Sequence, residues 1–240
     1  MDISKATKLA RKVLPLKYCG AVIVAAGNAS RMGGIDKVMA DIGGEPMIVR
    51  TVRTFQQCDA INEIVIVTRQ DLVGKISDLC HAFPKVRAVI VGGNSRQESV
   101  MNGLQALSGK VKLAAVHDGA RPMISKDVID RTVRAAHTYG AAMPVIPVKD
   151  TIKVAQGGII QETPDRSTLF AAQTPQIFDL DLLKGALAKI KKENAEVTDD
   201  SAAVERLGMS VRLVQGDERN IKVTTPLDLK IAELFLEEKP

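Results

Sequence analysis

At 240 residues, with 45% hydrophobic and 25% charged side chains, the chain has the make-up of one large globular domain. No apolar run approaches the roughly 18 residues that span a bilayer, and residues 1–17 lack the continuous apolar core of a signal peptide, so a cytoplasmic protein without membrane contact is expected. The formal net charge of +5 does not point to nucleic acid: residues 1–17 carry Lys5, Lys8, Arg11, Lys12 and Lys17 against Asp2, which leaves the rest nearly neutral, and aromatic residues make up only 3%, so bases find little to stack on.

In chain order, residues 1–17 are a basic extension, amphipathic as a helix, with Ile3, Ala6, Ala10, Val13 and Leu14 near one face. It reads as a docking helix or as a frayed terminus. Residues 18–240 then read as one α/β domain. Ala21–Ala25 is a short apolar strand that gives way to the small residues Ala26, Gly27, Asn28, Ala29 and Ser30, followed by Arg31 and Lys37. Small side chains let backbone N–H groups approach an anion, and two cations on the same loop suit phosphates. The loop is neither a P-loop nor a dinucleotide fingerprint, since G-x-x-x-x-G-K-[ST] is missing and G-x-G-x-x-G fails at two of three positions. Taken alone it is equally an ordinary strand-to-helix turn.

Asp41 to Gly44 reads as a turn, and Pro46 opens a helix with an apolar stripe of Met47, Ile48, Val52 and Phe55. Glu63–Thr68, Arg87–Val91 and Leu113–His117 are further strands, separated by helices over Asp71–Phe83 and from Ser95. Ser125 is the expected N-cap, and Gly140 the C′ residue, of the next helix. Residues 141–148 read as a strand near a sheet edge because of Pro144 and Pro147. Such alternation predicts a mostly parallel, Rossmann-like sheet flanked by helices. It breaks at 149–161, where two short strands around Gly157-Gly158 signal a hairpin. A hairpin alone is marginal in water, so this one needs something to lean on. A helix over Asp179–Lys192, an N-cap at Thr198, late strands at Val211–Gln215 and Arg219–Val223, and a last helix capped by Thr225 complete the reading. Cys19, Cys58 and Cys80 have no paired spacing and read as free buried thiols of a reducing compartment; His81, His117 and His137 are isolated and read as structural.

Arg31 and Lys37, then Gly93, Asn94 and Ser99, then Asp118 and Arg121, and finally Lys222 all fall at strand ends, which share one edge of a parallel sheet. With Ala25-Ala26-Gly27 through Lys37, Gly92-Gly93 through Val100, His117 to Pro122, Lys149 to Lys153, Asp165-Arg166, Gln173 to Gln176, Thr198-Asp199-Asp200 and Asn220 to Thr224, in that order, the chain resembles the bacterial 2-C-methyl-D-erythritol 4-phosphate cytidylyltransferases over about residues 18–238. The resemblance implies a nucleotidyltransferase sheet with a projecting β-arm, about 149–171, that embraces a second subunit in a homodimer. It implies transfer of CMP from the co-substrate CTP to methylerythritol phosphate, with Mg²⁺ held mainly by the triphosphate; no protein ligand is assigned to the metal, Asp118 being suited to hydroxyls or to the metal.

The same resemblance assigns Arg31 and Lys37 to charge stabilisation, and Lys222 with Arg166 to orienting the attacking phosphate. It places Ala25, Ala26, Gly27, Asn28, Ala29, Gly93, Asn94, Ser99 and Gly119 around CTP. Asp118, Arg121, Thr151, Thr174 and Thr198 fall on the sugar-phosphate side, with Thr151 and Arg166 reaching the neighbouring subunit. Ala29 stands where glycine is usual and Asn94 where an acid is common, and the loop from Arg31 to Lys37 is about one residue shorter than in some members. A ribitol 5-phosphate cytidylyltransferase and a non-catalytic nucleotide-binding protein of the same fold are the alternatives.

Overall fold

The computed structural model describes residues 15–27 and 37–237, so the reading of residues 1–14, and the placement of Asn28, Ala29 and Arg31, lie outside the described residues. Strand β1 (Cys19–Ala25) is an interior strand of the sheet: it pairs in parallel with β4 (Glu63–Thr68) on one side and β6 (Leu113–Asp118) on the other. β5 (Val86–Val91) continues the parallel array beyond β4. β1, β4 and β6 are apolar on both faces because helices cover both, the pattern of a parallel sheet.

One layer is α1 (Met47–Gln56), α2 (Val73–Cys80) and α4 (Lys126–Tyr139), packed on Cys19, Ala21, Ile23 and Ala25 through Ile48, Val52, Phe55, Ile76, Ile129 and Val133. The opposite layer is α3 (Arg96–Ala106), α5 (Leu180–Glu193) and α6 (Asp200–Glu205), packed on Val22, Val65 and Val116 through Val100, Leu104, Leu183 and Leu187. A small third cluster seats α7 (Pro226–Glu237) through Ala232 against Ile42, Met47 and Val223, beside the hairpin of β2 (Asp41–Ile42) and β3 (Glu45–Pro46). The expected caps of α4 are present: Ser125 accepts from Val128 N, and left-handed Gly140 donates to Ala136 O. Asp228 N donates to Thr225 Oγ1, as expected for α7. Pro46 is the residue before α1 rather than its first, because it is paired with Asp41 across the β2–β3 hairpin.

The edge placement of residues 141–148 is overturned. Strand β7 (Ala141–Pro147) is interior, with β12 (Arg212–Gln215) parallel along one side. Along the other lie β11 (Gln176–Asp179) at Ala141 and Ala142 and β10 (Phe170–Ala172) at Val145 to Pro147. β10 and β11 are thus one interrupted strand, broken at residues 173–175. Pro144 sits at the break, where its carbonyl accepts from Gln173 N and, lacking an N–H, it returns no bond to that residue. β11 runs antiparallel to β6, so the sheet is mixed but mostly parallel. Residues 219–223 form no strand; they are a turn and an irregular stretch whose Val223 N donates to Ala120 O.

The expected hairpin is present as β8 (Val154–Gln156) and β9 (Ile159–Glu162), joined by Gly157 and Gly158 at φ 58° and 79°. Positive φ at both central residues is the turn that matches strand twist, and glycine takes it without steric cost. All seven strand residues of this arm are exposed.

Candidate active site

The chain passes from β1 outward to β4 and β5, then returns to place β6 on the other side of β1. Ligands of open α/β sheets bind at such a reversal, beyond the carboxyl ends of the strands. There the ends of β1, β5 and β6 enclose a cavity of about 290 Å³. Ala25, Ala26, Gly27, Lys37, Gly93, Asn94, Ser99, Asp118 and Lys222, all singled out in the sequence, line it, together with Val24, Val38, Ser95, Arg96 and Ala120. A larger groove of about 820 Å³ between α3 and α5 shares Gly93 and Ser95. Its one lining cation, Lys191, is paired with Glu98 at 3.7 Å, so the smaller cavity, lined by Lys37, Arg96 and Lys222, is the more cationic of the two.

The loop after β5 is fixed by the start of α3. Ser95 accepts from Glu98 N as N-cap, Glu98 Oε2 accepts from Asn94 N at 3.0 Å, and Ser99 Oγ accepts from Gly93 N at 3.0 Å while donating to Ser95 O. This is a capping box shifted by one residue. A Cβ at Gly93 would collide with Glu98, so only glycine permits the loop to lie this close. The helix N-terminus adds a partial positive charge beside the cavity.

Asp118, 8% exposed, is the electrostatic centre. Lys222 Nζ lies 3.0 Å from its Oδ2, Arg121 Nε 3.4 Å from the same oxygen, and Arg96 Nη2 3.9 Å from Oδ1. Burial disfavours its charge, but Lys222, Arg96 and Arg121 together outweigh that and hold the carboxyl down at about 2. Behind it, Thr174 Oγ1 accepts from Asp118 N at 3.1 Å and lies 3.0 Å from His117 Nδ1, while the other ring nitrogen faces Arg121 O, which can only accept. His117 therefore carries its proton on Nε2, which donates to Arg121 O. Burial pushes this imidazole down to about 3, and it is neutral and structural as expected.

Lys222 is aimed by its neighbours: fully buried Asn220 donates to Thr174 O at 2.9 Å, its own carbonyl accepts from Arg121 Nη1 at 2.7 Å, and Val223 is tied to Ala120. The strand expected at 219–223 is thus replaced by side-chain anchoring.

Other expected residues lie off the cavity wall. Gly119 packs against Ala25 and Ile48, with Ala120 on the wall in its place; Arg121 and Thr174 support Asp118 from behind. Thr151 and Arg166 are exposed on the arm, Arg166 donating to Lys149 O at 2.7 Å. Thr198 is exposed and caps nothing; Asp199 is the N-cap of α6, its carboxylate accepting from Ala202 N where the shorter threonine is one residue early. Arg96, Asp200 and Asn220 were not singled out. Their signals, Arg96 after the glycine pair and Asp200 beside Thr198, were present but assigned no role.

The model of one family, described as IspD, 2-C-methyl-D-erythritol 4-phosphate cytidylyltransferase, matches residues 19–238. A protein of that name from Caldanaerobacter subterraneus is 42% identical over 225 residues, covering 90% of this chain and 97% of the relative. One from Geobacillus kaustophilus is 44% identical over 219 residues, covering 90% and 96%. Among solved structures, the 4-diphosphocytidyl-2C-methyl-D-erythritol synthase of Anaerococcus prevotii superimposes with a TM-score of 0.84 at 31% identity, covering 92% of this chain and 97% of that one.

Proposed function

The chain belongs to the 2-C-methyl-D-erythritol 4-phosphate cytidylyltransferase family, and from that premise we propose how its residues carry out the reaction. It is a nucleotidyltransferase that moves CMP from CTP to 2-C-methyl-D-erythritol 4-phosphate, giving 4-diphosphocytidyl-2-C-methyl-D-erythritol and pyrophosphate in non-mevalonate isoprenoid synthesis. An oxygen of the sugar phosphate attacks the α-phosphorus of CTP; that P–O bond forms as the bond to the β-phosphate oxygen breaks. The attacking group is already a phosphate, so no covalent enzyme intermediate is needed, and the protein's task is alignment and positive charge.

The triphosphate lies in the cavity with its oxygens toward Lys37 and the backbone N–H groups of residues 25–27, and the resemblance assigns Asn28, Ala29 and Arg31, outside the described residues, to the same ligand. The nucleoside lies against Gly93, Asn94 and Ser99, with Gly119 behind. Lys222 leaves Asp118 to orient the attacking phosphate, and Asp118, Arg121, Thr174 and Thr198 shape the sugar side. The observation that carries this reading is the convergence of Lys37, Arg96 and Lys222 on one cavity, the latter two facing its carboxylate, Asp118.

Mg²⁺ fits this donor set in one way. Among the described residues no group of three or more acidic, His or Cys side chains is placed to cage a metal, while Asp118 is one buried carboxylate at the cavity. Magnesium at nucleotide sites takes one or two carboxylates, with substrate phosphates and water completing its shell. Bound so, it would withdraw charge from the triphosphate oxygens.

The arm completes a homodimer. Ile152, Val154, Ile159, Ile160 and Phe170 are exposed on or beside it, more apolar surface than a two-stranded ribbon keeps in water. Thr151 and Arg166 are carried on it to the partner's sugar-phosphate side. The three buried free thiols suit a cytoplasmic setting.

The test is pyrophosphate release from CTP and Mg²⁺ with methylerythritol phosphate against ribitol 5-phosphate, on wild-type and Lys37→Ala protein. Turnover with the first, lost in the variant, is expected. Preference for ribitol 5-phosphate would move the substrate, and silence with both despite CTP binding would defeat the reading.

A further inference from the structure

Asp200 is a buried carboxylate for which the reaction, as derived so far, has no use. Its side chain is 1% exposed; Oδ2 is paired with Arg96 Nη2 at 2.8 Å, while Oδ1 is buried without a hydrogen-bond partner. Fold stability is a poor reason to keep such a group. Desolvating a carboxylate offsets most of what one ion pair returns, apolar residues of similar volume usually do as well, and an unmatched oxygen adds to the cost. Burial accordingly pushes its carboxyl up, with Arg96 pulling the other way.

Its position supplies a reason. Arg96 is the first residue of α3 and lines the cavity next to the Gly93–Asn94 loop. Asp200 is the first residue of α6, directly after Thr198 and Asp199. The Arg96 nitrogen that binds Asp200 also faces Asp118 at the end of β6. On its other side the start of α6 is fastened to the sheet, where Gln176 Nε2 donates to Asp199 Oδ2 at 2.8 Å and Gln176 Oε1 accepts from Ser201 N at 2.9 Å. The stretch leading to Thr198 is thus tied to β11 by Gln176, and to α3 by the Asp200–Arg96 pair and a hydrogen bond from Gln97 Nε2 to Val197 O at 3.2 Å.

We propose that Asp200 is a positioning residue which, through Arg96, holds the nucleotide side of the site and its sugar-phosphate side in register, so that the attacking phosphate meets the α-phosphorus in line. This rests on the reaction assigned under Proposed function. A charged, buried pair does this where an apolar contact would not, because its geometry is directional and its two ends belong to elements 104 residues apart. In-line transfer is sensitive to such placement: a shift of about 1 Å produced away from the reacting atoms lowers rates about 100-fold.

Asp200→Asn keeps the shape and removes the charge; Arg96→Lys keeps the charge and removes the planar fork. Full-length proteins are compared by kcat, KM for each substrate, CTP dissociation constant and melting temperature. Expected is a fall in kcat of about 10- to 100-fold with the CTP dissociation constant held within about twofold, and a double variant no worse than the poorer single one. Should Asp200→Asn fail to fold, Asp200→Glu, which keeps the charge and alters its reach to Arg96 without touching the cavity wall, carries the same comparison. The proposal is overturned if kcat of the folded variants stays within about twofold of wild type, if lost CTP affinity accounts for the whole defect, or if the two substitutions add as independent sites. Wild-type protein that is inactive with CTP and methylerythritol phosphate defeats the underlying reading, and is told apart because it needs no variant.

Discussion

Around Asp118 the charged groups are one another's partners within a single chain, whereas along β8 and β9 every residue faces solvent. The crevice is over-determined: Lys222 is placed through Asn220 and Val223, Asp118 through Thr174, and Arg96 through Asp200. The arm has two glycines setting its turn, and its strand residues are exposed on both faces. A site that must align two phosphates is built where the chain can hold it alone, and a ribbon that reaches outward is left for another surface to complete.

That contrast is open to attack from the crevice first. Lys222→Ala is expected to lower kcat by about 10²–10³ in steady-state pyrophosphate assays, the usual loss for one preorganised charge, with circular dichroism unchanged. Asp118→Asn leaves Arg121 and Lys222 without their carboxylate, while Arg96 keeps Asp200, and should destabilise the fold by about 3 kcal/mol, read from urea unfolding. Acid sharpens the same point. His117 in the folded protein refuses a proton that the unfolded chain accepts, so its contribution is complete above pH 6.5 and declines as pH falls toward 3. The slope is about 1 kcal/mol per pH unit, and His117→Gln should flatten it in urea midpoints measured across that window. Asp118 adds to the loss lower down, from the ordinary carboxylate range through about 2.

Smaller effects separate capping from binding. Asp199→Ala should cost about 1 kcal/mol of stability as a lost N-cap, while Thr198→Ala leaves the melting temperature unchanged and registers only in KM for the sugar phosphate. In the arm, Ile159→Ser with Ile160→Ser should change subunit stability by less than about 0.5 kcal/mol. Sedimentation should nevertheless show the dimer lost. A dimer retained at micromolar concentration would place the interface elsewhere.

What was legible in the sequence was local. Strand ends, the Ser125 and Thr225 caps, Gly140 and the Gly157-Gly158 turn depend on neighbours within a few residues, and each was found where expected. Lys37 and Asp118 were legible because the strands that precede them share one sheet edge, and Lys222 only through the run from Asn220 to Thr224, which forms no strand. What failed depended on distant partners. Arg96 acquires its meaning from Asp200, 104 residues on. The prolines of β7 suggested an edge because nothing local announces that the neighbouring strand is interrupted opposite Pro144. Thr198 was taken for a cap because a threonine and an aspartate side by side are equally good candidates until the backbone turn between them is known.

The pairing of Lys222 with Asp118 has a further consequence. The Lys222 side chain is 44% exposed and that of Arg121 12%, so one cation is free to leave the carboxylate and the other is not. Before substrate arrives the crevice behaves as a weak ion exchanger with one exchangeable position. A small oxyanion that competes for Lys222 should therefore inhibit in proportion to its charge, phosphate and sulfate more than chloride, and competitively with the sugar phosphate rather than with CTP.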